Sequence, residues 1–392
     1  MHFNKNFIWL AVFSPFSFAA YDATDMVSLN ADMAYKYDSN VFRLSDFGSN
    51  SVVRKNDGQL GDSNLQAVLG AKFQMPISRQ KIYANAQMSR QQYFTFEELN
   101  YTGWQADVGW GWQLGNQFFG TLAAHSKSSM NSFDDVRNGV VDMVRETGAD
   151  WNGAWQIHSQ WSLLANASYV KQVHDERKLE DAKNSSYGFG LRYVTGKGSS
   201  LTLRHNWQDY DYLNDLLFIS ASLRGYTEQI TTLNLVWPIT EKIEIAANGG
   251  FSQWKSKIQN SKSSRTPQGD LALKWRGTEK TRFRTGYGQN FDQFNSGVGR
   301  NLERKAYFGA NWEMSEKMVW DAEFSRRQRT TDSSHSIQLR DELYDSFRLR
   351  LSYTPVRSVT LSPFVTLERR KDQIGSDDYS DQQYGISGRY DF

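Results

Sequence analysis

The sequence predicts an all-β fold, a transmembrane outer-membrane β-barrel of about 18 antiparallel strands. Three features of the chain predict it. Apolar and polar residues alternate along most of the sequence, short turns alternate with long polar loops, and the chain ends on the aromatic residue Phe392. Alternation with a period of two is the periodicity of a β-strand. Short turns at one end of the strands and long loops at the other are typical of bacterial outer-membrane barrels.

The composition of the 392 residues fits such a barrel better than a soluble protein. Hydrophobic residues make up 39% and aromatic residues 14%, and the mean hydropathy is -0.64. A soluble protein of this length usually carries more aliphatic residues for its core. A barrel with a wet interior needs apolar residues on its outer face only. Beyond the N-terminus, no apolar run reaches the roughly 18 residues of a transmembrane helix.

Charge and cysteine content exclude several function classes. The net charge of +2 is nearly balanced, so it predicts no polyanionic partner such as a nucleic acid. The chain has no cysteine, which excludes a disulfide framework and thiol chemistry. No motif for binding a nucleotide is present, and we expect no cofactor.

The N-terminus has the features of a signal peptide. Met1 to Lys5 is short and basic, residues 7–13 form an apolar core, and Ser17 and Ala19 are the small residues that a signal peptidase reads. We therefore predict a signal peptide over residues 1–20 and a transmembrane β-barrel over residues 21–392. The mature protein is expected to reside in the bacterial outer membrane.

The stretch Tyr101 to Leu114 shows the alternation most clearly. Its even positions are apolar and include Trp104, Trp110 and Trp112, whereas its odd positions are small or polar and include Asp107. The first face suits lipid and the second suits water. An Arg or Lys at mid-depth on the lipid face would cost roughly 2–4 kcal/mol, so charged residues are expected on the inward face.

The same alternation marks the remaining strands, and no stretch is left over for a plug or a soluble domain. In chain order, the predicted strands run near 26–37, 63–75, 81–94, 101–114, 117–129, 142–156, 161–173, 184–195, 199–212, 225–237, 242–256, 266–276, 280–292, 302–314, 317–329, 341–354, 358–371 and 381–392.

The connections between these strands alternate in length. Gly115-Asn116 is an example of the short turns, which we expect on the periplasmic side, and Asp38 to Asp62 is an example of the long loops, which we expect outside the cell. The loop from Leu213 to Leu223 is unusually apolar for a segment in water. We expect it to fold inward or to lie at the membrane interface.

The last strand indicates how the barrel is assembled and closed. Tyr384, Ile386, Gly388, Tyr390 and Phe392 share one face. A terminal phenylalanine after alternating aromatic residues resembles the signal that the barrel-assembly machinery of the outer membrane recognises. Phe392 is therefore the predicted assembly signal, and that machinery is an expected partner. Pairing of the last strand with the first would remove the edges that hydrocarbon does not tolerate.

A barrel of about 18 strands leaves a water-filled channel, whereas one of eight strands is filled by side chains. Ladders of opposite charge that face each other would focus a field across the channel and sort solutes by charge. Alternatively, the charged groups pair with one another and keep the lumen hydrated. The predicted pore-lining residues are Asp107, Lys274, Arg276, Arg282, Arg284, Asp321, Glu323, Arg327, Arg348, Arg350, Glu368 and Arg370.

Aromatic residues on the inward face are candidates for contact with sugars, whose ring faces are weakly apolar. Several of them lie near strand ends, where aromatic residues anchor a barrel at the interface whatever passes through it. The sequence supports both interpretations. The candidates are Tyr83, Tyr101, Phe119, Tyr210, Tyr344 and Phe364.

A specific run of residues joins the first strand to its loop. Residues 34–44 read AYKYDSNVFRL, with Tyr37, Asp38, Asn40, Phe42 and Arg43 as the characteristic positions. This run resembles the opening motif of outer-membrane β-barrel proteins encoded with exopolysaccharide biosynthesis machinery, the EpsL-like family. The resemblance implies passage of a newly made polysaccharide across the outer membrane. It also implies periplasmic polysaccharide-export components as partners.

The residues of this motif also have a physical interpretation. Asp38 and Asn40 suit a turn that leaves a strand, and Phe42 suits packing over the barrel rim. The spacing of carboxylates and amides does not match a calcium loop of the EF-hand type, so we predict no metal site.

The sequence does not predict an enzyme. A hydrolase needs a nucleophile beside a positioned base. His125 and Ser126 are adjacent, but adjacent residues in a strand point to opposite faces. His205 falls on the lipid-facing parity near the middle of its strand.

We therefore expect an outer-membrane channel for secretion of exopolysaccharide, a passive polar conduit without a motor of its own. The alternative is a general or oligosaccharide-selective diffusion porin for uptake. A third interpretation is a structural or adhesive barrel whose loops matter more than its lumen. Outer-membrane lipid, lipopolysaccharide and the polysaccharide are the other expected partners.

Overall fold

A computed structural model describes residues 26–45, 58–133, 140–214, 225–257, 263–293, 300–332, 341–374 and 378–392. These residues form one sheet of 18 antiparallel strands. The strands are β1 (Val27–Asp38), β2 (Asp62–Ile77), β3 (Gln80–Tyr93), β4 (Tyr101–Leu114), β5 (Phe118–Met130), β6 (Met143–His158), β7 (Trp161–His174), β8 (Ala182–Val194), β9 (Ser200–Tyr212), β10 (Tyr226–Pro238), β11 (Ile243–Ser256), β12 (Ser264–Arg276), β13 (Thr281–Gln293), β14 (Arg300–Ser315), β15 (Met318–Asp332), β16 (Asp341–Val356), β17 (Val359–Asp372) and β18 (Tyr379–Asp391).

The sheet is closed into a barrel. Each strand pairs with its neighbours in the chain, and β1 also pairs with β18, from Asn30 opposite Asp391 to Asp38 opposite Gln383. The described ring therefore has no free strand edge. Closure is how a sheet satisfies its backbone groups in hydrocarbon. The predicted barrel of about 18 strands is confirmed.

The two faces of the strands differ in the way the alternation of β4 predicts. Trp104, Val108 and Trp110 are exposed on the outer face of β4. On the opposite face, Asp107 lies between Asn85 of β3 and His125 of β5. The outer residues are exposed because no second layer covers them. An apolar surface that encircles the protein requires lipid around it.

Exposed tryptophans of the outer face concentrate at the short-turn end of the barrel. Some stack across neighbouring strands, with ring centroids 5.5 Å apart for Phe118 and Trp155 and 5.1 Å apart for Trp275 and Phe283. This arrangement is the aromatic girdle of a membrane interface. Members of the girdle are Trp110, Trp155, Trp161, Trp237, Trp275, Trp312 and Tyr390.

The connections alternate in length as predicted. Residues 115–117 and 159–160 are examples of the short turns at one end, and the longer connections leave the other end. Two of the longer connections contain a single turn of 3-10 helix, Glu97–Leu99 and Lys178–Glu180, which the sequence analysis did not predict. Among the residues that the structure describes, no helix is long and apolar enough to cross a membrane.

Buried side chains concentrate at the long-loop end, which we call the mouth. On the inward face of β9, β10 and β11, Tyr210, Tyr226 and Trp254 pack together near the mouth. A second buried cluster joins the first three long loops, and its members are Val41, Phe42, Leu44, Phe96, Leu99 and Phe133.

Two sequence predictions lie outside the described residues. The signal peptide over residues 1–20 precedes the first of them. Most of the apolar loop, residues 215–224, also falls outside them. Of that loop, Leu213 is described, and its amide N–H donates to the carbonyl oxygen of Asp181, 2.8 Å away.

Candidate functional site

The candidate site is the inward face of the barrel, which is polar around the ring. Inward and outward positions alternate along each strand, and the strand register aligns them between strands. The register places every predicted pore-lining residue on the inward face: Asp107 in β4, Lys274 and Arg276 in β12, Arg282 and Arg284 in β13, Asp321, Glu323 and Arg327 in β15, Arg348 and Arg350 in β16, and Glu368 and Arg370 in β17.

Arg284 binds two carboxylates of the same wall. Its Nη1 and Nη2 donate to the two oxygens of Asp321 over 2.8 and 3.0 Å, and its Nε donates to Glu323 over 3.1 Å. The side chain reaches β15 by passing over Gly309 of β14, where a Cβ atom would lie 2.8 Å from the Arg284 Nε. Bidentate contacts of this kind are strong and directional. A side chain at position 309 would therefore push Arg284 off this path.

Further cations pair within the same wall. Lys274 lies 2.8 Å from Glu244, and Arg282 lies 2.7 Å from Glu313. Arg327 lies 3.5 Å from Glu303, and its guanidinium stacks over the ring of Tyr344. These carboxylates neutralise their partners locally. The paired cations thus add little to any field across the lumen.

Arg348 and Arg350 of β16 differ from these paired cations. Across the β15–β16 register they lie opposite Glu323 and Asp321, but the oxygens of those two carboxylates are bound to Arg284. Both arginines are exposed, and within the described residues neither has a carboxylate at ion-pair distance. They present two positive charges to the water of the lumen.

Arg192 of β8 and Arg204 of β9 form a second positive pair, which the sequence analysis missed. Arg192 pairs in register with Ser162 and Thr202, and Arg204 pairs with Gly190 and Thr232, so their neighbours on both sides are uncharged. Neither has an ion-pair partner in the described part of the chain. Even-numbered positions of β8 and β9 face the lumen, and this alternation in the sequence could have identified both arginines.

The structure corrects the prediction that Arg370 lines the pore. It faces inward, but its side chain has 0% exposure because it packs under the ring of Tyr379, 4.6 Å from the centroid. Glu342 lies 3.5 Å from its Nη1. The residue therefore stabilises the mouth and has no contact with the lumen.

The inward aromatic residues fall into three groups: two lie over glycines, two lie at strand ends and two are buried. The ring of Tyr83 lies over Gly109 and that of Phe364 over Gly385, positions where an added Cβ atom would come within 2.1 and 3.0 Å of those rings. Rings that lie against glycine keep close to the wall and leave the bore open. Tyr101 and Phe119 lie at ends of β4 and β5.

The structure corrects the prediction of sugar contact for two of the aromatic candidates, because both are buried. Tyr210 is 2% exposed and stacks on Tyr226, and Tyr344 is 3% exposed and is covered by Arg327. A solute in the lumen has almost no ring surface to touch at either position.

The motif residues form a compact turn at the mouth, which we call the clasp (residues 38–44 with Asp381). Asn40 holds Leu44 through two hydrogen bonds, its Nδ2 donating to the Leu44 carbonyl over 2.7 Å and its Oδ1 accepting the Leu44 N–H over 3.0 Å. The guanidinium of Arg43 lies 2.9 Å from Asp38 and 3.3 Å from Asp381. The clasp thus connects the first loop to the last strand.

Phe42 of the clasp packs where the sequence suggested, over the rim. It is 1% exposed, with ring centroids 4.9 Å from Phe96 and 5.4 Å from Phe133. The clasp therefore also fixes the second and third long loops against the first.

His125 and His205 lie on the faces that their parity predicts, and His125 does not meet the adjacent Ser126. His125 lies inward, 3.5 Å from both Glu146 and Asp150, while the Ser126 hydroxyl lies 3.1 Å from Thr147. His205 lies on the outer face, as its parity predicts, and its Nδ1 lies 2.7 Å from the Thr231 hydroxyl.

Solved structures share this architecture at low sequence identity. OpdL of Pseudomonas aeruginosa is 12% identical, with a TM-score of 0.51, over 93% of this chain and 98% of that chain. A BenF-like porin from Pseudomonas fluorescens Pf-5 is 12% identical, with a TM-score of 0.51, over 93% and 99%. The fold is that of outer-membrane porins. The FrpB iron transporter from Neisseria meningitidis (F5-1 variant, apoprotein form) is 10% identical, with a TM-score of 0.55, over 89% of this chain and 62% of that chain.

No protein-family model matches the sequence, and a search of curated proteins finds no match. The likeness to solved structures therefore concerns the fold. A closed barrel with an apolar outer face and an aromatic girdle places the chain in the bacterial outer membrane.

Proposed function

We propose that the protein is a passive diffusion porin for polar solutes and that it favours anions. The observation that carries this proposal is the pair of exposed guanidinium groups on β16, Arg348 and Arg350, in a polar lumen ringed by 18 strands. Barrels of this size leave an aqueous channel. A water-filled bore needs no binding step and no energy source to conduct small solutes.

The preference for anions follows from the inward-facing cations that have no carboxylate partner. Arg284 and its neighbours are neutralised by carboxylates of their own wall. Arg348 and Arg350 on one side, and Arg192 and Arg204 on β8 and β9, have no such partner in the described chain. Uncompensated charge in a narrow aqueous space raises the local concentration of ions of the opposite sign.

Conductance in planar lipid bilayers tests this proposal. The purified protein should conduct, and under a gradient of potassium chloride its reversal potential should show a preference for chloride. The variant R348Q/R350Q should move the reversal potential toward cation preference, with a severalfold fall in the permeability ratio. A variant with Lys242 and Arg357 replaced by Gln removes the same charge from periplasmic turns and serves as the matched control.

Two results would contradict the proposal. A folded protein that does not conduct at all would exclude a diffusion channel. A reversal potential that is the same in R348Q/R350Q and in the control variant would exclude the assigned role of these arginines.

A second candidate function is export of a newly made polysaccharide. The observation that favours it is the organised clasp, because its residues Asp38, Asn40, Phe42 and Arg43 carry the resemblance to the EpsL-like family. Polymerisation and periplasmic export components would drive such a conduit, and the barrel itself would have no enzymatic step.

Surface polysaccharide in a deletion strain separates the two candidates. Loss of extracellular polymer with accumulation in the periplasm, restored by the intact protein, would favour export. Unchanged polymer together with slower uptake of anionic solutes would favour the diffusion porin.

A further inference from the structure

The outer face of the barrel carries its charges at one end only. On the short-turn half, the described outward-facing strand residues are uncharged. Toward the mouth, several strands place a cation directly above their last apolar outward residues. Such cations include Arg90, Arg145, Lys171, Lys183, Arg304, Arg326 and Arg369, on β3, β6, β7, β8, β14, β15 and β17.

One concentration of positive charge lies on β6 to β8. Lys171 and Lys183 are directly opposite each other in the register, and Arg145 lies on the adjacent strand on the same face. Like charges in directly opposed positions destabilise a sheet. Lys183 has Asp211 3.6 Å away, but Lys171 and Arg145 have no carboxylate at ion-pair distance among the described residues. Arg145 and Lys171 are thus exposed cations whose charge no carboxylate of the described chain balances.

A second concentration lies on β14 to β17. Arg326 binds Asp345 through two hydrogen bonds of 2.6 and 2.9 Å. Arg369 is also opposite Asp345, and Lys371 follows two residues later on the same face. The outer face of β16 carries two carboxylates here, Asp345 and Asp341, against these three cations, so the surface keeps a surplus of positive charge.

The depth of these cations identifies the layer that they contact. Tyr169 precedes Lys171, Phe324 precedes Arg326 and Leu367 precedes Arg369 on the outer face, and all three of these apolar residues are exposed. The cations therefore lie where hydrocarbon ends and headgroups begin on the external side. The opposite boundary has an aromatic girdle in place of charge.

We propose that the two concentrations bind the phosphate groups of lipopolysaccharide in the external leaflet. The charge of the ligand is complementary to the surface, and its position in the membrane matches their depth. Guanidinium and ammonium groups bind phosphate through charge-assisted hydrogen bonds. The one-sided placement of the cations matches a membrane whose two leaflets carry different headgroups. This proposal is independent of what passes through the lumen.

Binding of lipid A, the phosphorylated anchor of lipopolysaccharide, to the purified full chain in detergent tests the proposal. Native mass spectrometry or a titration would compare lipid A, dephosphorylated lipid A and phosphatidylglycerol as probes. We expect lipid A to bind most tightly. Two variants, R145Q/K171Q/K183Q and R326Q/R369Q/K371Q, should each weaken it, by roughly fivefold for each cation or about a hundredfold for three.

Two further variants control for folding and for total charge. The variant K197Q/K242Q/R357Q removes three cations from periplasmic turns and should bind lipid A as the unaltered protein does. The variant K171R/K183R keeps the charge and should retain binding. A shift in gel mobility on heating shows that each variant is a folded barrel.

Each outcome decides the proposal. Weaker binding in the two outer-face variants, with the controls unaffected, supports it. Equal binding of lipid A with and without phosphate overturns it, and so does equal affinity for lipid A and phosphatidylglycerol. Loss of affinity in the periplasmic-turn control to the same extent also overturns it, because charge in general and not this surface would then be responsible.

Discussion

The carboxylate of Asp381 connects the two ends of the barrel chain through one side chain. It accepts hydrogen bonds from the Ser39 hydroxyl and the Asn40 N–H, each 3.1 Å away, and lies 3.3 Å from Arg43. It is 1% exposed, so water does not replace a partner that is lost. Leaving a buried donor without an acceptor destabilises the fold by more than the hydrogen bond had stabilised it, because the donor stays desolvated.

The substitution Asp381→Asn is expected to lower the free energy of unfolding by about 1–3 kcal/mol, because it keeps the shape but replaces one acceptor oxygen by an NH2 group that would face the donors Arg43 and Gln383. Urea unfolding of the barrel in lipid vesicles measures this. Asp391→Asn is the matched control, since Asp391 lies on the same strand and pairs with Arg389 at the exposed, opposite end. Equal stability of the two variants would contradict the importance of the clasp.

At the scale of the element, Asp142 binds several residues of the loop between β7 and β8. The Asp142 carboxylate lies 2.7 Å from His174 Nδ1, accepts the Nε–H of Arg177 over 2.8 Å and accepts the Glu176 N–H over 3.0 Å. Burial alone would raise the pKa of Asp142, but the hydrogen bonds from His174 and Arg177 outweigh it and hold that pKa well below its usual range. The ionised form of Asp142 therefore stabilises this loop.

The stabilisation by Asp142 should depend on pH in one direction. Because the folded pKa is depressed, the stabilisation is complete above the unfolded value of about 3.9 and is lost as the pH falls from there toward the folded pKa. Hydrogen exchange of residues 175–181, corrected for its intrinsic pH dependence, should be roughly tenfold faster at pH 3 than at pH 6.

The variant Asp142→Asn should show the fast exchange at both pH values. Asp175→Asn, which changes an exposed carboxylate of the same loop, should keep the pH dependence. A pH dependence that persists unchanged in Asp142→Asn would assign it to another group.

At the scale of the whole molecule, the barrel closes through its last strand, β18. Phe392 is 69% exposed on the outer face, its ring packs edge-on against Tyr390 with centroids 4.6 Å apart, and its N–H donates to the Leu29 carbonyl over 2.9 Å. A side chain with so much exposed surface contributes little to packing within the folded protein. We propose that this exposed ring is what the assembly machinery recognises.

Replacing Phe392 by Ala is expected to lower the amount of assembled barrel in cells severalfold, because assembly there depends on recognition of the last strand. Refolding of the same variant into lipid vesicles, which uses no machinery, should be nearly unchanged. Ile386→Ala, on the same face of the same strand, is the control. A parallel fall in both experiments would mean that Phe392 acts through stability alone.

The sequence predicted the strands well because a lipid-facing wall imposes a strict rule. An outward charge at mid-depth is costly, so parity is enforced along β4 and its neighbours. The same rule placed His205 outward, where the structure has it hydrogen-bonded to Thr231. Closure followed from the physics of strand edges in hydrocarbon.

The parts that sequence did not predict depend on contacts between distant segments. Parity put Arg370, Tyr210 and Tyr344 on the inward face, but it carries no information about what packs above them. Burial at the mouth comes from long loops and neighbouring strands, such as Tyr379 over Arg370. Likewise, parity identified Arg284 and Arg348 alike, and only the register and Gly309 explain why one is paired and the other is not.

Closure between β1 and β18 depends on contacts between the first and the last strand of the chain, so the barrel closes only after the whole chain is present. Ser39 and Asp381, partners in the clasp, are 342 positions apart in sequence, so the ribosome completes the second long after the first. Until β18 has folded, the edge of β1 that faces away from β2 has no partner strand. Contacts of such separation form slowly, and the precursor must stay unaggregated in water throughout that interval. Protection of the unfolded precursor against aggregation is therefore a requirement for forming this fold.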